Sequence, residues 1–291
     1  MSIVRSFFSR SDSPEARAGI DSVGCKLQRE IILLLAWGPA ILLQLAHPLI
    51  ARGIADHSGF RRGSNGHVAR FYRTLGAMLE LCFGTEQEAL AVFARIKAIH
   101  DRVNGHLPEA AGAFVAGTPY SAHDPALLTW VHATLLDMNI RVYELYVGSL
   151  SIEEKDRYCV EASAIETHLG IPHGTAPRNV SDLGQYMNAM LSSRQITVTD
   201  TARTLARSIL YPQTLRIAEP ALSFVRLTTV GLLPPPIRDG YGFTWNRRKQ
   251  AMLRLSADLI RNLLRVTPRP VRHWPAARHR AIHSGTRSTG A

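Results

Sequence analysis

The residues of this sequence that could do chemistry are histidines and arginines set on apolar helical faces. His132 shares helical spacing with Leu128, Leu135, Leu136, Asn139 and Tyr143, so its imidazole joins an apolar stripe. A core imidazole must satisfy two ring nitrogens, through hydrogen bonds or through a metal. Spacing alone favours a hydrogen-bonded core histidine. His100 stands in the same relation to Phe93, Ile96 and Val103, and His47 precedes Pro48 at the end of an apolar run, facing a cavity or a turn. Arg70 and Thr74 are four apart on a face continued by Met78 and Leu81, with Arg73 beside it. An arginine heading an apolar stripe needs an anion, because an unpaired buried guanidinium is costly. Glu80 or Asp137 can supply it, and so can a cofactor acid held bidentately. Spacing does not choose between them.

Other signatures are missing. The sequence has no HExxH, GxGxxG, P-loop or GxSxG pattern, and Glu166-Thr167-His168 has the wrong spacing for a zincin. Nucleophilic hydrolysis has no support here.

The elements that must position these residues are helices with clear punctuation. Ser64 or Asn65 starts one that Gly84 stops. Thr85 to Glu88 reads as a capping box opening a helix to about Val103. Asp124-Pro125 supplies an N-cap and a first-turn proline for a helix to about Val147. Ser151 caps a helix ending near Gly170, and shorter helices follow from Ser181 or Asp182, from Thr199 or Asp200, and from Leu215. Pro234 to Pro236 reads as a stiff break before a last helix over Thr244–Val266. No repeat and no alternating strand pattern is evident. The expected fold is all-α, a single helical domain of about eight to ten helices with a buried cofactor pocket.

The chain has 291 residues, 46% hydrophobic and 20% charged, a balance that excludes a disordered chain, a collagen or a disulfide-stapled mini-protein. Three cysteines without a CxxC make a reducing cytoplasm the default location. The net charge of +11 is concentrated after residue 246, where Asp258 is the only acid. The expected division is a flexible arm over 1–24, a helical domain over 25–266 and a basic tail over 267–291. Such a tail can hold anionic lipid, nucleic acid or an acidic partner, but no nucleic-acid-binding motif accompanies it. In the last helix Arg247, Arg248, Lys249, Arg254, Arg261 and Arg265 stand beside Met252, Leu255, Leu259 and Leu263. That pattern fits a membrane-surface helix, and more simply a core-packed helix with a solvated face. Ile31–Ala51 is uncharged and long enough to span a bilayer, but Gly38-Pro39 and His47-Pro48 interrupt it. A buried helix pair around a kink is the expectation.

The ordered set Gln44-Leu45-Ala46-His47-Pro48, Arg70-Phe71-Tyr72-Arg73-Thr74, Phe83-Gly84-Thr85, His100 to Gly105, Tyr120, Asp124-Pro125 and Trp130-Val131-His132-Ala133 resembles the rubber oxygenases. That family includes the latex-clearing proteins and the oxygenase of mycophenolic acid biosynthesis, and the chain looks like one of its short bacterial members. The resemblance spans roughly residues 25–230. It implies a helical haem b domain using dioxygen, with His132, followed by Ala133, at the position of the axial histidine; His100 is the alternative ligand. It further implies that Arg70 meets a haem propionate, that Thr74 lies in the pocket, and that Arg73 or His47 steadies bound oxygen. The rubber-cleaving members flank the axial histidine with arginines where this chain has Thr129 and Leu136. The implied activity is a haem-dependent oxygenase acting on an apolar, isoprenoid or lipid-like small molecule. The competing reading is a non-enzymatic helical protein resting on anionic membranes by its basic C-terminal segment, which makes the expected location cytoplasmic or peripheral to a membrane.

Overall fold

A computed structural model describes residues 22–57, 64–212 and 219–277, with the backbone alone for 64–71. Most of the expected N-terminal arm and residues 278–291 of the expected tail lie outside the described residues. In chain order the α-helices are α1 (Val23–Gln28), α2 (Trp37–Leu45), α3 (Pro48–His57), α4 (Ser64–Phe83), α5 (Glu86–His100) and α6 (Pro125–Tyr146). Then come α7 (Ile152–Ala162), α8 (Glu166–Leu169), α9 (Val180–Ser192), α10 (Asp200–Leu210), α11 (Glu219–Leu232), α12 (Pro235–Tyr241), α13 (Arg247–Val266) and α14 (Arg269–Arg272). Short 3-10 turns cover Ile31–Ala36 and Ser163–Ile165. The fold is all-α.

Fourteen α-helices among the described residues exceed the eight to ten expected, because punctuation cuts the chain more finely. The helix capped by Ser151 breaks at Ser163, and its last piece ends at Gly170, whose φ of +86° a side chain would resist. The triple proline does not end structure but begins it: Pro235 opens α12, where a missing N–H costs nothing. Two three-residue strands, β1 (Asn104–His106) and β2 (Pro119–Ser121), pair antiparallel with Gly105 opposite Tyr120. Strands this short are too brief for alternation to show in the sequence.

The caps act as their chemistry dictates. Thr85 and Ser151 each form a full capping box, and Asp124 accepts the Ala126 N–H at 2.8 Å. The domain is built around α6, which packs on α2, the 3-10 turn before it, α7, α9 and α13. Trp130, Ala133, Leu136, Met138, Val142 and Tyr146 are all buried along it. With neighbours on nearly every side, α6 must be apolar around most of its circumference.

No single described helix is long and apolar enough to cross a membrane. The uncharged run of Ile31–Ala51 bends by 105° between α2 and α3, and Leu33, Leu42, Leu43 and Leu45 bury it in the core. The bend falls at His47-Pro48; Pro39 sits in the first turn of α2, where it is tolerated.

The ends of the described chain meet. Glu30, 1% exposed, receives Arg272 Nε at 2.9 Å and Nη2 at 2.5 Å, with His273 Nε2 3.1 Å away. Trp274 donates its N–H to the Arg29 carbonyl at 3.0 Å. Residues 269–274, grouped with the tail by composition, are therefore fastened to the start of the domain.

Candidate active site

The end of α2 is stitched to the middle of α6. Gln44 Nε2 donates to Thr134 Oγ1 at 3.0 Å, and Trp130 Nε1 donates to the Leu43 carbonyl at 3.3 Å. These bonds set His47, three residues beyond Gln44, beside the turn of α6 that carries Thr129. A cavity of about 390 Å³ opens there. His47, Ala126 and Thr129 line one side; Tyr186 and Met190, one turn apart on α9, line another; Thr175 and Gln195 lie at the exposed side. The His47 ring is 2% exposed and tilts against Phe114 with centroids 5.1 Å apart. Thr129 spends its hydroxyl on the Pro125 carbonyl at 2.7 Å.

His132 lies one helical turn beyond Thr129 on α6, 6% exposed. Its Nε2 is buried and has no hydrogen-bond partner among the described residues, and the same holds for Nδ1 of His47. Burial pushes both imidazoles down to about 4, with Asp124 pulling His47 weakly upward. Both rings are therefore neutral near pH 7, each with a free ring nitrogen in a dry setting. A neutral imidazole with an idle buried nitrogen is the donor a metal centre takes, and an orphaned buried polar atom otherwise has a cost and no return. This geometry fits one axial ligand. Among the described residues no three His, Cys, Asp or Glu side chains gather to hold a bare metal ion.

The other expected site residues stand elsewhere. His100 is half-buried at the end of α5, edge-on to His123 at 5.8 Å, and burial followed by the His123 charge lowers its pKa. It does not line the cavity. Arg73 and Thr74 lie on an exposed stretch of α4, and the Arg70 side chain is outside the described residues. The two carboxylates that could have met those arginines have other partners: Glu80 pairs with Arg95, and Asp137 with Arg141 at 2.8 Å. Of the expected site residues His47 alone lines the cavity; His132 lies one helical turn from the lining residue Thr129 without lining it itself, and His100, Arg73 and Thr74 stand apart from it. Tyr186, Met190, Gln195 and Phe114 are contributors that sequence reading did not single out. Only the four-residue spacing of Tyr186 and Met190 hinted at a shared face.

The domain is wrapped around one histidine-bearing helix, with a partly open, mainly apolar cavity beside it. The sequence matches, over residues 26–262, the family described as ER-bound oxygenase mpaB/B'/Rubber oxygenase, catalytic domain. The chain belongs to this family of oxygenases, which implies dioxygen as a co-substrate. No curated protein matches it, and no solved structure does.

Proposed function

We propose that the chain is a haem b-dependent oxygenase in which His132 Nε2 is the axial ligand and the cavity beside His47 takes an apolar small molecule. The observation that carries this reading is the neutral, buried and partnerless Nε2 of His132 on the helix around which the domain is built. A single imidazole suffices when a macrocycle supplies the remaining ligands, and bound haem supplies the activation of dioxygen. The protein's part is to hold, orient and exclude. His47, neutral at working pH, can donate one ring N–H to a polar atom in the cavity. Tyr186 and Met190 offer apolar surface to an isoprenoid or lipid-like chain, and Thr129, its hydroxyl already bonded to Pro125, adds no free polar group beside it. Arg70 as the propionate partner and Thr74 as its neighbour enter from the family resemblance. Arg73 enters in the same way, but its exposure makes His47 the better placed donor.

The test is the ultraviolet–visible spectrum of protein produced with haem precursor, beside His132→Ala, His100→Ala and His47→Ala. The expected result is a Soret band lost in His132→Ala and kept in the other two, with oxygen-dependent turnover reduced in His47→Ala. A band lost only in His100→Ala moves the ligand. No band in the wild type rejects the haem reading.

A further inference from the structure

Helix α13 has two apolar faces. Leu253 and Ala257 are buried and Ile260 packs on the core, so these residues form the inner face. Met252, Leu255, Leu259, Leu263 and Val266 recur at spacings of three and four on the side turned away from it. All five are open to solvent: Leu255 is 71% exposed and Leu259 67%. The helix packs on the core, as the simpler expectation has it, but through Leu253, Ala257 and Ile260, which leaves this apolar row outside. A continuous exposed apolar row five residues long marks an interaction surface.

The charge beside the row says what it meets. Arg247, Arg248 and Arg254 have no hydrogen bond or ion pair among the described residues. Asp258 is the only acid on the helix, against six basic residues. A groove of about 770 Å³ runs along its first half, lined by Trp245, Arg247, Gln250, Arg254 and Asp258, and reaches Leu255. Trp245, half-buried with Nε1 on Gln250 Oε1 at 3.0 Å, adds an amphipathic ring at the same border. A second copy of the chain would bring like charges together on this face, which opposes self-pairing. An anionic bilayer offers phosphates to the arginines and an acyl boundary to the leucines.

We propose that the outer face of α13 docks the domain on anionic membrane surfaces. The helix lies in the plane of the interface, Leu255, Leu259 and Leu263 enter the acyl boundary, and Arg247 and Arg254 meet lipid phosphates. The surface is separate from the cavity, so the proposal stands or falls independently of haem.

The full chain is floated with phosphatidylcholine vesicles, either pure or containing about 30% phosphatidylserine. The expected result is recovery with the anionic vesicles, about tenfold above the neutral ones, falling with added salt. Leu255→Glu/Leu259→Glu should lose this recovery about tenfold while keeping its circular dichroism and its thermal unfolding midpoint, because both positions are exposed. Arg247→Gln/Arg254→Gln should weaken recovery and flatten its salt dependence. All variants retain the rest of the basic C-terminal charge. Wild-type protein that stays unbound overturns the proposal, and so does a leucine variant that floats as well as the wild type. Light scattering that finds a dimer split by the leucine variant also overturns it, assigning the face to a second copy instead.

Discussion

Gln44 and Thr134 meet inside the domain, Nε2 to Oγ1 at 3.0 Å, with Thr134 fully buried. The Thr134 hydroxyl has already given its proton to the Val131 carbonyl at 2.8 Å, so Gln44 depends on Thr134 more than the reverse. Thr134→Val leaves the buried Gln44 amide only its long 3.5 Å contact with the Val131 carbonyl and should cost about 1–3 kcal/mol in denaturant unfolding; Gln44→Met should cost less, about 1 kcal/mol. Equal costs would show that the bond does not anchor the end of α2. Because this bond also fixes His47, both variants should lower turnover more than they lower haem content.

Two neutral buried histidines make the domain sensitive to acid. In the unfolded chain both titrate near 6.5, and in the fold near 4. Above 6.5 neither state is charged and stability is full. As pH falls from 6.5 to 4, the unfolded chain takes up protons that the folded one refuses, so stability drops, and below 4 this loss levels off. Each histidine should remove about 2–3 kcal/mol by pH 4.5. Unfolding midpoints at pH 7 and pH 4.5 check this: His47→Gln should show a smaller drop than wild type, and an identical drop would rule out a depressed His47.

Gly38, in the first turn of α2, faces Thr229 of α11. A methyl at Gly38 would lie 2.1 Å from Thr229 Oγ1, and that hydroxyl is buried without a partner. Gly38→Ala should destabilise by about 1–3 kcal/mol through overpacking. Adding Thr229→Ala should recover a large part of the loss, giving a coupling of at least about 1 kcal/mol between the two sites. Additive effects would mean that the helices can separate without cost.

Arg272→Ala leaves the Glu30 carboxylate buried with His273 as its remaining partner, and should cost about 2–3 kcal/mol. Glu30→Leu/Arg272→Met removes both charges and should lie within about 1 kcal/mol of the wild type. If the single and the double variant unfold at the same midpoint, the pair does not fasten the C-terminal segment.

How much of this was legible follows from how local each determinant is. Thr85, Asp124 and Ser151 cap helices through atoms two or three residues away, so sequence reading placed those starts within a residue. His132 was legible as a member of an apolar face. That its Nε2 would have no partner among the described residues was not, because that depends on how distant segments pack around α6. The cavity joins His47 to Tyr186 and Met190, about 140 positions away, and no spacing rule spans such a distance. On α13 the sequence holds two apolar stripes of similar quality, and which one the core accepts is decided by α6 and α11.

The bond between Glu30 and Arg272 also bears on biosynthesis. The two are 242 positions apart, so Glu30 emerges from the ribosome long before its counter-charge exists. At about 5–20 residues per second the wait is roughly 12–50 s. During that time a nascent chain holding α1 to α12 has the site helices but lacks the clasp that joins its two ends. The clasp therefore forms only after residue 272 has emerged, and a chain cut before Arg272 would keep the residues that line the cavity but lack the bond that joins Glu30 to the C-terminal segment.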